Sequence, residues 1–470
     1  MAGQGSGSRG AGLLRGSRRR LGAGALAGLV LVGVALAVPN GEQRTKRCSG
    51  AKVTGWRTDE RMTRELARYG DDNARFDDWT GGDGTRSVRL PDGRTLWLSA
   101  DTFLDQVLDQ APGVRGRKPN PVWVRNAALV MSRDGRFERT LLGGTGMRPA
   151  ALFPGTATAD GREVWRWPVQ AVVEPRRPGS SEKVVRVLLW QREAGRPPWI
   201  FGVPRASQVA TLSLPGLRLE GIEPIHRPRH GEIERRVLYG TSAVTQGDWT
   251  YIFGADEGSV DGEASRAHLA RAPRGRLDDA DAWQFWAGSE EEDSGESGQS
   301  GESGESGESE ESGDSGEGVG KGHGGGVGGG WQDDPERSEP ILVGKTVQRG
   351  ATGTYSVVRH GDSWLLLTMD AGAPDGGGVT DIVSYWACTP TGPWHGPGRV
   401  AKPPLPQGAA GVGAVPYNPQ GHPEFGAGAG AGKGLLISYD VNVLDAGGAI
   451  QRNVAYYRPR FLRLTLGPAR

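Results

Sequence analysis

The stretch Asp83-Gly-Thr-Arg-Ser-Val-Arg-Leu-Pro-Asp-Gly-Arg-Thr-Leu-Trp-Leu-Ser-Ala-Asp101-Thr-Phe103 holds two short β-rich runs, one tight turn and a carboxylate near either end. Ser87 to Leu90 and Thr95 to Ser99 are the runs. Between them, Pro91-Asp92-Gly93 is a turn in which Pro presets φ and Gly accepts a positive φ. Asp83 opens the first run and Asp101 closes the second, so antiparallel pairing brings both acids to the same end of a hairpin. Two acids converging at one end of a sheet suit general acid/base chemistry on a sugar. The other reading of such a pair is two turn caps that bond to backbone N–H groups.

Outward from this hairpin, short strand-like runs separated by Gly, Pro and Asp recur to the end of the chain. Asn126 to Met131 and Phe137 to Leu142 form a second hairpin around Asp134-Gly135, and Asp105 to Pro121 reads as a polar rim loop. Degenerate versions of the unit follow at Trp167 to Gln191, at Gly240 to Trp286, at Gly353 to Cys388 and at His422 to Leu466. Each has a polar first strand and an apolar or aromatic second strand after a turn. Five such units are what radially arranged blades require, so the expected fold class is all-β, a five-bladed β-propeller, with a two-sheet sandwich as the competing layout. One helix is expected, over Asp59 to Tyr69, with an acid at its start and Gly70 after it.

At 470 residues the chain is long enough for a substantial core, and its net charge of +1 hides a partition. Ser289 to Glu317 carries twelve acids and no base, which leaves +13 on the rest. Its Glu-Ser-Gly repeats cannot bury enough apolar surface to offset ordering, so a disordered, solvated insertion is expected at 289–330. At the start, Arg15-Gly-Ser-Arg-Arg-Arg20 precedes the uncharged run Leu21 to Val38, which ends in Ala35-Leu36-Ala37. This is the pattern of a signal peptide or an N-terminal transmembrane anchor at 1–40, with everything beyond it outside the cytoplasmic membrane. The expected layout is then an exposed arm at 41–55 and a propeller in two parts, 56–288 and 331–470. Cys48 and Cys388 would meet an oxidising compartment, and their pairing is left open at this level.

Several short motifs carry a resemblance. Asp83-Gly-Thr, Trp97-Leu-Ser-Ala-Asp101-Thr-Phe103, Thr389-Pro-Thr-Gly-Pro-Trp394, His422-Pro-Glu424, Ser438-Tyr-Asp-Val-Asn442 and Tyr457-Arg-Pro-Arg-Phe461 resemble a bacterial family of secreted five-bladed propellers. That family, long an uncharacterised domain family, includes endo-acting D-arabinan hydrolases and is similar in architecture to furanosidase propellers such as arabinanases and levansucrases. The likeness spans Trp56 to Leu466 outside the acidic insertion. It departs at Ala100-Asp101-Thr102, where the family more often has Gly-Asp-Thr. The resemblance implies a sugar-binding funnel at one end of the propeller, with Asp83 and Asp101 at the catalytic places.

Strand-end positions independently add Asp256, Glu257, Asp370, Glu424 and Asp440 as candidate acids. The expected catalytic set is Asp83 and Asp101, with Glu424 as the substitute for either. His422, Tyr355, Asn442 and Asp370 are the expected substrate-binding groups, against the alternative of a satisfied core histidine for His422. No Gly-x-Ser-x-Gly, phosphate-cradling loop or His-Glu-x-x-His motif is present, and the seven histidines are scattered. No metal or other cofactor is therefore expected. The remaining basic excess is diffuse, so the expected partner is a polysaccharide and not a nucleic acid, with the membrane touched only through the N-terminal segment. A monomeric, exported furanosidase-type glycoside hydrolase is the leading reading; a non-catalytic carbohydrate-binding propeller at the cell surface is the alternative.

Overall fold

A computed structural model describes residues 48–258, 264–288, 330–343, 351–370, 380–426, 434–443 and 448–469. The leader or anchor at 1–40, the arm up to residue 47, the acidic insertion up to residue 329 and the Gly-Ala run 427–432 lie outside these residues. Two units separate, Met1–Arg47 and Cys48–Arg470, and the second is the one described. Among the described residues no helix is long and apolar enough to cross a membrane.

Five antiparallel sheets of four or five strands make up most of the second unit. The first contains Arg86–Arg89, Thr95–Ser99, Ala127–Met131 and Phe137–Leu141, so the hairpin expected around Pro91 to Gly93 is its inner half. Glu163–Pro175 is the long inner strand of the second sheet, and Leu238–Gln246 and Ser356–His360 begin the third and fourth. The fifth runs Val415–His422, Leu435–Asn442 and Arg460–Pro468, and its outer strand is Ala51–Thr58 from the start of the unit. Its two ends are thereby hydrogen-bonded into one sheet. The five inner strands touch in a closed succession: Arg86–Arg89 meets Glu163–Pro175, and the contacts continue through Leu238–Gln246, Ser356–His360 and Val415–His422 back to Arg86–Arg89.

The strand period explains the packing. Successive side chains of a strand point to opposite faces, so Leu365 and Leu367 enter the cluster shared with the fifth sheet while Trp364 and Leu366 enter the cluster shared with the third. In the first sheet Leu96 and Leu98 face the second sheet, whereas Trp97 faces the fifth. Both faces are buried, which is why these strands read as continuous apolar runs. Five apolar clusters fill the five contacts between neighbouring sheets.

Helix Glu60–Gly70 packs Met62, Leu66 and Tyr69 into the cluster between the first and fifth sheets. Asp59 caps it, accepting from the Met62 N–H at 3.0 Å. A one-turn helix, Ala449–Arg452, was not anticipated, and the expected rim loop after Asp105 contains a hairpin, Val107–Ala111 with Val114–Arg117. Around the acidic insertion, Phe285 and Trp286 pair with Gln332 and Trp331. The insertion therefore leaves and re-enters the third sheet on adjoining strands. Cys48 and Cys388 form a disulfide, with Cα atoms 5.8 Å apart, joining the segment before Ala51–Thr58 to the end of strand Ile382–Ala387 in the fourth sheet.

Candidate active site

Asp101 does not end a hairpin strand that simply runs on. After Ser99 the chain turns and Thr102–Leu104 joins a small separate sheet between Trp79–Gly82 and Trp123–Val124. Asp83 leaves that same small sheet on its way into Arg86–Arg89. One main-chain bond, from the Ala100 N–H to the Asp83 carbonyl at 2.7 Å, locks the two departures together. Gly84 makes this approach possible: its φ is +68°, and a Cβ there would stand 2.8 Å from the Ala100 Cβ.

Around Asp83 the polar groups come from the far end of the chain. The Tyr417 hydroxyl donates to Asp83 Oδ2 at 2.6 Å, and the Tyr457 hydroxyl, which donates to the Asp101 carbonyl oxygen at 3.0 Å, also reaches the Asp83 carboxyl. Among the described residues Asp83 Oδ1 has no hydrogen-bond partner. Asp440, on the strand paired with Tyr417, is buried beneath and accepts from the Gly84 N–H at 2.8 Å, the Thr85 hydroxyl at 2.8 Å and Asn418 Nδ2 at 2.5 Å. Asn418 can do so because it takes a left-handed conformation, φ 56°, at a bulge between Tyr417 and Gln420. Arg86, also buried, lies within the field of Asp440 and Asp83.

Asp101 has different company. Trp167 Nε1 donates to its Oδ1 at 2.9 Å, and Arg125 Nη1 stands 3.5 Å from its Oδ2. Its side chain remains 22% exposed. Burial raises both carboxyls above the ordinary range. For Asp83 the negative charges of Asp440 and Asp101 add to burial and push it well up, the two phenols pulling the other way. Asp101 is pushed up to about 6 by burial, with Trp167 and the Arg125 cation opposing. Burial and the neighbouring acids favour the protonated form of Asp83, whereas the cation beside Asp101 favours its carboxylate.

The other expected residues lie elsewhere. Glu424 and His422 sit further along Val415–His422 and just past it, away from Tyr417. The Glu424 carboxylate accepts from the Ser87 hydroxyl, and burial raises its pKa to about 7. His422 is fully buried between the Ser87 and Ser438 hydroxyls and against the Trp97 ring; burial lowers its pKa to about 3, so the ring is neutral. Its place is that of a satisfied core histidine, and substrate cannot reach it. Tyr355 is likewise fully buried and donates to the Gly254 carbonyl at 2.7 Å. Asp370 caps the backbone at Thr380 and Asp381, and the Asn442 side chain accepts from the Val443 N–H. Asp256 is buried against Arg266, and Glu257 pairs with Arg192. The structure thus brings Asp83 and Asp101 together and adds Asp440, Tyr417, Tyr457, Trp167 and Arg125. Of these, Asp440 has a signal in the sequence as a strand-end acid and Tyr457 stands in a motif of the family resemblance, whereas nothing in the sequence marks Tyr417, Trp167 and Arg125 as site residues.

A family model described as a domain of unknown function (DUF5005) matches residues 67–466. Among solved structures, a Bacteroides ovatus protein described as a "putative hydrolase" superposes with a TM-score of 0.55 at 15% identity, over 87% of this chain and 90% of that one. That likeness is one of fold. An α-L-arabinofuranosidase from Podospora anserina, solved with cellotriose, gives 0.41 at 9% identity over 85% and 94% of the two chains. A β-xylosidase/α-arabinofuranosidase from a compost metagenome, solved with xylotriose, gives 0.39 at 11% over 88% and 94%. At those scores neither bears on what this chain does. No curated protein matches the sequence.

Proposed function

The chain belongs to the DUF5005 family, and we propose that it is an exported glycoside hydrolase on a five-bladed propeller, cleaving furanoside linkages of an arabinan-like cell-envelope polysaccharide. The five sheets are its blades, and the closed succession of inner strands supports that count. The observation that carries the activity is the unequal acid pair: Asp83, raised by burial and by its acidic neighbours, beside Asp101, balanced by a cation and an indole N–H. Glycoside cleavage needs one carboxylic acid to protonate the leaving oxygen and one carboxylate to activate water or attack the anomeric carbon. Asp83 is the proton holder of the free protein, and Asp101 supplies the carboxylate. Tyr417 fixes the Asp83 carboxyl, and Asp440, whose charge adds to the burial that raises Asp83, holds Gly84 and Thr85 in place.

Against the binding-module reading stands the bonding of the two acids. Turn caps spend their oxygens on backbone N–H groups, whereas Asp83 and Asp101 are held by a phenol, an indole and a guanidinium. Export is supported by the Cys48–Cys388 disulfide, which suits an oxidising compartment. The test is incubation of the protein with arabinans, galactans and fructans and analysis of released sugars. Wild-type protein is expected to release products from at least one furanoside polymer, and Asp83→Asn and Asp101→Asn each to lose about 10³-fold or more in kcat. Absence of product from every polymer rejects the activity, and full turnover by both variants rejects the site.

A further inference from the structure

Beyond Asp101 runs a line of groups that starts at the Arg125 cation and extends past the acid pair. Arg125 is held by Glu163 in a two-point ion pair at 2.8 and 2.6 Å, so its guanidinium has a fixed plane. The rings of Trp165 and Trp123 lie 4.1 and 4.5 Å from it. Trp165 is buried and packs edge-on against Trp167, whose N–H is already spent on Asp101. Trp123 differs: it is paired across strands with Phe103, two residues after Asp101, and it remains 40% exposed. A large apolar ring is thus immobilised one guanidinium away from a reacting carboxylate, with its remaining surface in solvent.

Such a surface has a specific complement. A sugar ring offers an apolar face of C–H bonds and an edge of hydroxyls. One face of the Trp123 indole is covered by the Arg125 guanidinium, and the C–H face of a sugar suits the other. We propose that Trp123 is the platform for a sugar residue adjoining the one cleaved, so that the substrate is an oligosaccharide or polymer chain and not a terminal glycoside alone. This rests on the acid-pair reading above and adds a specificity residue to it.

Kinetics and binding test it separately. On the polymer that the wild-type protein cleaves, Trp123→Ala is expected to raise KM about tenfold with kcat little changed, while turnover of a p-nitrophenyl furanoside, which has a single sugar unit, stays within twofold. Trp123→Phe should restore most of the loss. Equal loss on both substrates would mark Trp123 as structural and overturn the proposal. Binding is read by calorimetry on the Asp83→Asn protein with linear arabinan, galactan and fructan oligosaccharides of about six units. About tenfold weaker binding in the Asp83→Asn, Trp123→Ala double variant supports the platform even where no cleavage is found, in which case only the hydrolase reading falls. Unchanged affinity in the double variant, or no binding of any oligosaccharide by Asp83→Asn, overturns the platform.

Discussion

Glu424 shows how a residue can have an acid's position and a core residue's surroundings. Its carboxyl lies against Ser87 and its pKa is raised from 4.5 to about 7 by burial. A folded-state pKa above the unfolded value means that the folded chain binds the proton more tightly. The stabilisation is therefore present in full below about 4.5 and is lost as pH rises through about 7. Glu424→Gln should leave stability unchanged near pH 4.5 and raise it at pH 8 by up to about 3 kcal/mol, measured by urea unfolding at both values. A hydrolytic role would instead show as lost turnover in the same variant, and little loss is expected. His422 and Tyr355 teach the same lesson: the two ring nitrogens are already engaged with the Ser87 and Ser438 hydroxyls, and the Tyr355 hydroxyl donates to the Gly254 carbonyl. A sequence names donors but not their partners.

At the scale of elements, the helix illustrates a local signal with a tertiary amplifier. Asp59 caps the helix, as its position before the apolar residues suggests, and its other oxygen accepts from buried Arg463 Nε at 2.8 Å. Asp59→Ala removes a cap worth about 1 kcal/mol and leaves a buried guanidinium short of its counter-charge, so a total loss of about 2–4 kcal/mol is expected in chemical denaturation. A loss near 1 kcal/mol would mean that the Arg463 contact contributes nothing. The inner strand of the fifth sheet went the other way. Val415–His422 contains Asn418-Pro419, which breaks both the β pattern and the ladder, so the sequence suggests a strand only near His422-Pro-Glu-Phe. The same irregularity aims Asn418 at Asp440, and the cost of a poor strand is offset by the contact that holds the acid cluster.

For the whole unit, closure is the controlling feature. Ala51–Thr58 pairs with Arg460–Pro468, and the disulfide adds a covalent tie from Cys48 to the fourth sheet. Cross-linking positions 340 residues apart limits the unfolded chain, at a scale of about 2–5 kcal/mol. A Cys48→Ser, Cys388→Ser protein should keep its fold and its acid pair while melting at a lower temperature, read by calorimetry with and without reductant. An unchanged melting temperature would show that strand pairing alone sets the closure.

Much of this protein was legible before any coordinates. The apolar runs, the Gly and Asp turns between them and the capped helix over Glu60–Gly70 are local properties, and they determined a mostly β chain with a hairpin flanked by two acids. The Cys48–Cys388 bond and the surroundings of those acids were decided only in three dimensions. Tyr417, Tyr457 and Asp440 reach Asp83, Asp101 and Gly84 across more than 330 positions. No periodicity spans that distance. What brings them together is the packing of the last sheet against the first, driven by apolar surface that Trp97, Leu436 and Phe461 share, and burial by that same packing is what raises the carboxyls.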